Sequence, residues 1–228
     1  MINLPSLANC NMLHIGEQID ALVKGGVQMV HVDIMDGHYV PNLCFPASIV
    51  HYIKTEYPEL KIDVHMMVLD PMQYIPKLKE YGADYVSFHI DSTPFCVRTL
   101  KAIKEAGMKC GVAINPSQRI DVIQPFFQLL DYVVLMAVEP GFAGQRFLDG
   151  QLERLEELER FRRENQADYL ISIDGGIDYY HAEECLKRGA DMLVTGIYVV
   201  FDQEIGIDAA CRRFADKMSL VPHTVRTI

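Results

Sequence analysis

One repeat constrains this chain more than any other feature. Short runs of β-branched residues alternate with longer segments of helical spacing, and the alternation crosses all 228 residues without a linker. A strand recurs about every 28 residues. Parallel neighbours need a crossover of a dozen or more residues, ordinarily a helix, so this rhythm dictates a parallel sheet. The eight strand candidates are Ile2 to Ala8, Met29 to Met35, Ile62 to Val68, Tyr85 to Ile90, Cys110 to Asn115, Tyr132 to Val138, Leu170 to Gly175 and Met192 to Ile197. Between them, helical spacing appears over Ile15 to Lys24, Pro71 to Tyr81, Phe95 to Ala106, Gln151 to Asn165, Tyr179 to Arg188 and Ile207 to Met218.

Several of these helices close on the same phrase. Gly25-Gly26, Gly82-Ala83-Asp84, Ala106-Gly107 and Gly189-Ala190-Asp191 each place glycine where a helix can end with positive φ. Eight such units could form an open doubly wound sheet. Equal units with no expanded crossover fit a closed (β/α)8 barrel better, and we expect a single α/β TIM-barrel domain over residues 1–228.

Lys+Arg 21 against Asp+Glu 31 gives a formal charge of −10, which repels nucleic acid and anionic membranes over most of the surface. The longest apolar run, Tyr132 to Val138, is far short of the roughly 20 residues that span a bilayer. Met1 to Ser6 lacks a basic stretch followed by an apolar one, so a cytoplasmic protein is expected. The six cysteines stand singly with no CxxC pair and read as reduced, mostly buried thiols.

In a barrel, chemistry gathers where strands end and βα loops begin. Period-two alternation puts His31, Asp33 and Met35 on one face of the second strand, and Asp63, His65 and Met67 on one face of the third. The seventh strand ends Asp174-Gly175-Gly176. Two imidazoles and two carboxylates, from His31, Asp33, His65 and Asp174, suit Zn2+ or another borderline divalent ion with a position left for substrate. A strand histidine is more often a satisfied core residue, and His89 fits the same pattern, so spacing alone leaves the choice open.

The last three strands run into glycine-bearing loops: Pro140-Gly141-Phe142-Ala143-Gly144-Gln145, Gly175-Gly176 and Gly196. Glycine lets backbone N–H groups close on an anion, and the loops after strands seven and eight are the usual phosphate cradle of such barrels. Tight βα turns would use the same glycines, but their clustering on the last strands favours a phosphate.

The stretches His31-Val-Asp-Ile-Met-Asp-Gly-His-Tyr-Val-Pro-Asn-Leu, Asp63-Val-His-Met-Met-Val, Met136-Ala-Val-Glu-Pro-Gly-Phe-Ala-Gly-Gln-Arg-Phe and Ile173-Asp-Gly-Gly-Ile resemble the ribulose-phosphate 3-epimerase family. The likeness covers essentially the whole chain. It implies a metal-dependent isomerase, an epimerase acting at C3 of a phosphorylated ketose through a cis-enediolate. By this resemblance His31, Asp33, His65 and Asp174 hold one divalent ion per chain, Zn2+ first, with Fe2+, Mn2+ or Co2+ as alternatives. Asp33 and Asp174 match the two acid/base carboxylates. Ser6 matches a substrate-contacting serine, and Met35, Met67 and Met136 match methionines around the reacting carbons. The Gly141, Phe142, Ala143, Gly144 loop, Gly175, Gly176, Ile177 and Gly196 match the phosphate contacts, with Ile197 beside them at the substrate.

The chemistry accounts for these residue types. Inverting C3 means removing a proton from one face of the carbon and returning one to the other, so two bases must flank a planar intermediate. A divalent ion lowers the acidity barrier as a Lewis acid, and methionines give a polarizable wall.

The chain departs from the family pattern at Ala143 in the usual Gly-Phe-Gly-Gly, at Ile197 in the usual Gly-Ser, and at Cys44-Phe45-Pro46 in place of Thr-Ile-Gly-Pro. The Phe-Ala-Gly-Gln form also resembles the allulose-6-phosphate branch, so D-ribulose 5-phosphate is the first substrate expected and D-allulose 6-phosphate the alternative. Related barrel decarboxylases and aldolases generally rely on a strand lysine, and here Lys61 and Lys109 merely precede strands. A non-catalytic sugar-phosphate sensor would be expected to lose a ligand or a carboxylate. The resemblance also implies a homo-oligomer, dimer or hexamer.

Overall fold

The computed structural model describes residues 1–223 and Arg226. Eight parallel strands form one sheet: β1 (Ile2–Pro5), β2 (Met29–Met35), β3 (Lys61–Met67), β4 (Tyr85–His89), β5 (Lys109–Ile114), β6 (Tyr132–Met136), β7 (Leu170–Asp174) and β8 (Met192–Thr195). From β2 to β8 each strand pairs with its sequence neighbour, and β1 pairs with β8. The remaining seam, between β1 and β2, is closed by a parallel bridge from Ser6 to His31. The result is a nearly closed (β/α)8 barrel.

The helices outside it are α1 (Ile15–Lys24), α2 (Ser48–Glu56), α3 (Ile75–Tyr81), α4 (Cys96–Glu105), α5 (Gln151–Glu164), α6 (Tyr179–Lys187) and α7 (Ile207–Ser219). Every residue of β2 is buried, because both faces of a parallel sheet are covered. Val30, Val32, Ile34, Val64 and Met66 belong to the large core under the helices. The alternate positions carry His31, Asp33, Asp63 and His65, buried on the other face. A separate interior cluster that includes Leu4, Met29, Tyr85, Tyr132, Leu170 and Met192 fills the lumen.

Some boundaries differ from the sequence reading. β1 stops at Pro5, because the chain turns into a short 3-10 segment at Leu7–Asn9. β3 and β5 begin one residue earlier than expected, so these strands do contain lysines. Lys61 and Lys109 are nevertheless exposed at the strand N-termini, away from the mouth of the barrel. The eight units are also not equal. No α-helix separates β5 from β6 among the described residues, only 3-10 turns at Ile120–Ile123 and Phe127–Leu129. Pro125 lies between them, and its missing N–H and ring prevent a continuous helix there.

Of the cysteines, Cys10, Cys110, Cys185 and Cys211 are buried and Cys44 and Cys96 partly so; all are free thiols. No helix among the described residues is long and apolar enough to cross a membrane.

Candidate active site

Register brings the four polar strand ends to one place. His31 pairs with Asp63 across β2 and β3, Asp33 pairs with His65, and Met136 pairs with Asp174 across β6 and β7. Since alternate residues of adjacent strands share a face, the side chains of His31, Asp33, His65 and Asp174 meet in the lumen. One ligand atom from each lies within 4.8 Å of all the others.

The individual edges are informative. His31 Nε2 stands 3.4 Å from Asp33 Oδ1 and 3.6 Å from Asp174 Oδ2. His65 Nδ1 stands 3.5 Å from Asp33 Oδ1 and 3.3 Å from Asp174 Oδ2. Donor atoms about 2.0–2.1 Å from a tetrahedral ion are separated by about 3.3 Å, so these spacings suit a shared cation. Both nitrogens are buried and make no hydrogen bond. Buried polar nitrogens left without a partner are costly, and two of them aimed at two carboxylates form a donor set that a divalent ion would satisfy. The cluster fits a divalent metal.

Electrostatics within the cluster are correspondingly strong. Burial works against a charge on His31, but the Asp33 carboxylate, aided by Asp174 and Asp63, outweighs it and holds the imidazole well above its ordinary range. His65 is likewise raised despite its burial, through Asp174 and Asp33. Burial opposes ionisation of Asp33 and Asp174, yet the two imidazoles keep both carboxyls below their usual range. His89 goes the other way: burial, and then the charge of His65, push it well below 6.5.

Each cluster histidine has a partner behind it. Nδ1 of His31 lies 2.7 Å from Asp63 Oδ2, and Asp63 Oδ1 accepts the Tyr132 hydroxyl at 2.6 Å. His65 Nε2 lies 2.9 Å from His89 Nε2, the two rings being stacked. Asp63 shares the polar face of β3 and was visible as such in the sequence. Tyr132 was not, because nothing in local spacing relates residue 132 to residue 63.

Above the cluster is a cavity of about 540 Å3, its open mouth included. Ser6, Asp33, Met35, Met67, Met136 and Asp174 line it. Gly141, Phe142, Ala143, Gly144, Gly175 and Gly196 line its other side, so the strand-end cluster and the glycine loops share one space. Asn9 and Gln145 also line it; Gln145 closes the glycine loop already singled out, whereas Asn9 stands in no motif.

The loop after β6 is held by its carbonyl groups. Asn42 Nδ2 donates to Gly141 O at 2.8 Å, Gln145 Nε2 to Phe142 O at 2.9 Å, and the Tyr198 hydroxyl to Gly144 O at 2.9 Å. Among the described residues nothing accepts from the N–H groups of Ala143 and Gly144. Those donors are what an anion would take. Gly176, Ile177 and Ile197 sit differently. Gly176 has φ +66°, and a Cβ there would stand 2.1 Å from Phe147 N, so the glycine is needed for a close backbone approach. Ile177 is buried in the outer core, and Ile197 packs partly buried against that core.

Comparison with known proteins points to one family. A sequence model described as "Ribulose-phosphate 3 epimerase family" matches residues 2–200. Ribulose-phosphate 3-epimerase of Aquifex aeolicus is 42% identical over 192 residues, covering 84% of this chain and 86% of that protein. The enzyme of the same name from Bacillus subtilis is 39% identical, covering 84% and 88%. That of Escherichia coli is 34% identical, covering 87% and 88%. Among solved structures, 3-hexulose-6-phosphate synthase from Salmonella typhimurium has a TM-score of 0.73 at 14% identity, covering 97% of this chain and 100% of that one. KGPDC from Streptococcus mutans has a TM-score of 0.71 at 15%, covering 96% and 97%. At such identities these two share the fold alone.

Proposed function

The chain belongs to the ribulose-phosphate 3-epimerase family, and on that premise we propose that it interconverts D-ribulose 5-phosphate and D-xylulose 5-phosphate by inverting C3. The observation that carries this reading is the convergence of His31, Asp33, His65 and Asp174 beneath a cavity whose far side is built of glycine loops. The curated relatives named above share the five-carbon substrate in their names, which favours it over D-allulose 6-phosphate.

In this reading Asp33 and Asp174 are the two proton carriers. One takes the C3 proton and the other returns a proton to the opposite face of the planar enediolate. The reaction therefore starts with one carboxylate ionised and one protonated, a split that the metal-free cluster, with both carboxyls held low, does not itself set. The Ser6 hydroxyl donates to Asp33 Oδ2 at 2.7 Å and so fixes the plane of that carboxylate. Met35, Met67 and Met136 give the reacting carbons an apolar, polarizable wall that releases no protons. N–H groups of the loop after β6, with Gly175 and Gly196, anchor the phosphate and bring C3 between the carboxylates. A divalent ion on His31, Asp33, His65 and Asp174, zinc by its preference for nitrogen and carboxylate donors, would supply Lewis-acid stabilisation of the developing negative charge.

A cytosolic homo-oligomer, dimer or hexamer, that binds no nucleic acid completes the proposal; the net charge of −10 supports the last point. The test is a comparison of initial rates on ribulose 5-phosphate and allulose 6-phosphate by zinc-loaded protein. The pentose phosphate is expected to react faster. A faster hexose phosphate would overturn the substrate assignment, and no turnover of either would overturn the epimerase.

A further inference from the structure

Behind His31 the barrel carries a second, wholly buried arrangement that the proton chemistry does not use. His31, Asp63 and Tyr132 are each 0% exposed. His31 and Asp63 sit side by side in register on β2 and β3, with Nδ1 to Oδ2 at 2.7 Å. Tyr132 comes from β6 and reaches across the lumen to give its hydroxyl proton to the other carboxylate oxygen, Oδ1, at 2.6 Å. No lysine or arginine pairs with Asp63 among the described residues; its ionic partner is His31.

The ring of Tyr132 needs space on the next strand. A Cβ on Gly111, which pairs with Tyr132 in the β5–β6 register, would stand 2.6, 2.7 and 2.8 Å from three atoms of that ring. The sequence thus gives up a side chain on β5 to admit a tyrosine whose polar end is spent on one carboxylate.

From this geometry we infer that Asp63, clamped by Tyr132 in the space left by Gly111, is a positioning residue that holds His31 with its proton on Nδ1 and its Nε2 lone pair aimed at the metal cluster. The inference rests on the reading of His31, Asp33, His65 and Asp174 as a metal site. A carboxylate can only accept the Nδ1 proton, so it excludes the tautomer with the proton on Nε2, which could not bind an ion. Two hydrogen bonds on two different oxygens also stop the carboxylate from rotating, which fixes the plane of the imidazole. A carboxylate behind a ligating imidazole raises its donor strength as well. His65 receives no such help, since its rear partner is another imidazole, His89, and not a carboxylate. The two histidines of the cluster are therefore unequal, and His31 is the stronger donor.

The test is zinc affinity, measured by competition with a chromophoric chelator, together with the imidazole proton spectrum of the zinc-loaded protein. Loss of an outer partner of a ligating histidine typically weakens metal binding about 10- to 100-fold. Asp63→Asn is expected to fall in that range, and Tyr132→Phe, which keeps the ring and loses only the hydroxyl, to lose less. Wild-type protein should show a far-downfield Nδ1 proton from His31, slow to exchange with water and displaced in Asp63→Asn. Should Asp63→Asn fail to fold, Tyr132→Phe and the wild-type spectrum still decide. Zinc affinities of both variants within twofold of wild type, or a zinc-loaded wild type without a protected His31 Nδ1 proton, would overturn the positioning role and leave the metal site standing. Wild-type protein that binds no zinc would overturn the site reading and this inference with it.

Discussion

Ser6 gives its hydroxyl proton to Asp33 Oδ2 at 2.7 Å, at the point where the bridge from Ser6 to His31 closes the barrel. The residue that seals the last seam of the sheet is therefore the one that orients a proposed proton carrier. Removing the hydroxyl leaves the buried carboxylate short of one charge-assisted hydrogen bond, worth about 1.5–3 kcal/mol. Ser6→Ala is expected to lower kcat/KM about 10- to 100-fold with zinc content unchanged. Steady-state kinetics beside metal analysis check this; kinetics equal to wild type would show that Asp33 needs no such orientation.

The two-base reading makes a sharper statement about Asp33 and Asp174. An amide keeps the shape of the side chain but cannot take a proton, so Asp33→Asn and Asp174→Asn should each lose epimerisation by about a hundredfold or more. In deuterated water a variant that keeps its metal is still expected to exchange the C3 proton from its surviving face. Metal content must be measured in both variants, because either carboxylate is also a proposed ligand. A metal-replete Asp174→Asn protein that epimerises at the wild-type rate would reduce Asp174 to a ligand.

Much of this site was legible in the chain because strands write their faces in steps of two. His31, Asp33, His65 and Asp174 fall in phase at three strand ends and so face one lumen, although phase alone does not separate them from Asp63 and His89, which stand behind the cluster. The legible part ends where partners come from across the lumen. Tyr132 meets Asp63 only because the sheet closes, and Gly111 matters only because that tyrosine is there. α2 escaped notice for a local reason: Ser48–Glu56 is nine residues long, rich in Ile, Val and Tyr, and no side chain caps its N-terminus. The helices flanked by a glycine exit were found with ends correct to within a residue or two, Pro71 apart, where a 3-10 turn at Pro71–Gln73 precedes α3.

The paired charges of the cluster set how metal-free protein responds to pH. His31 and His65 are raised above 6.5, so the stability they contribute is complete below 6.5 and fades as pH rises through their folded values. Asp33 and Asp174 are lowered below 3.8, so their contribution is present above 3.8 and lost as pH falls through the folded values. Chelated protein should therefore have its highest Tm between these two limits and lose Tm toward alkaline pH. Zinc competes with the imidazole protons, so the gain in Tm on adding zinc should grow with pH. Thermal unfolding from pH 5 to 9, with and without zinc, measures both trends, and a zinc-induced gain that shrinks as pH rises would contradict the assignment of His31 and His65 as ligands.

The phosphate cradle is tested best at Gly196, because Gly176 cannot be enlarged without meeting the Phe147 backbone. A Cβ on Gly196 would come within 3.0–3.2 Å of the Asn9 amide, a side-chain end on the same cavity wall tied, among the described residues, only by a 3.2 Å bond to Ser6 O. A shift of that amide by a few tenths of an ångström should let Gly196→Ala fold. The added methyl group intrudes on the space assigned to the phosphate. We expect KM for ribulose 5-phosphate to rise about tenfold, a change of about 1.4 kcal/mol, with zinc content unchanged and kcat altered less. Free ribulose, which has no phosphate to anchor, should be a poor substrate for the wild type and should react no more slowly with the variant. The contrast between the two substrates separates a cradle from a general distortion of the mouth. A variant that loses equally on both sugars, or a wild type that turns over free ribulose as well as its phosphate ester, would place the phosphate away from Gly196.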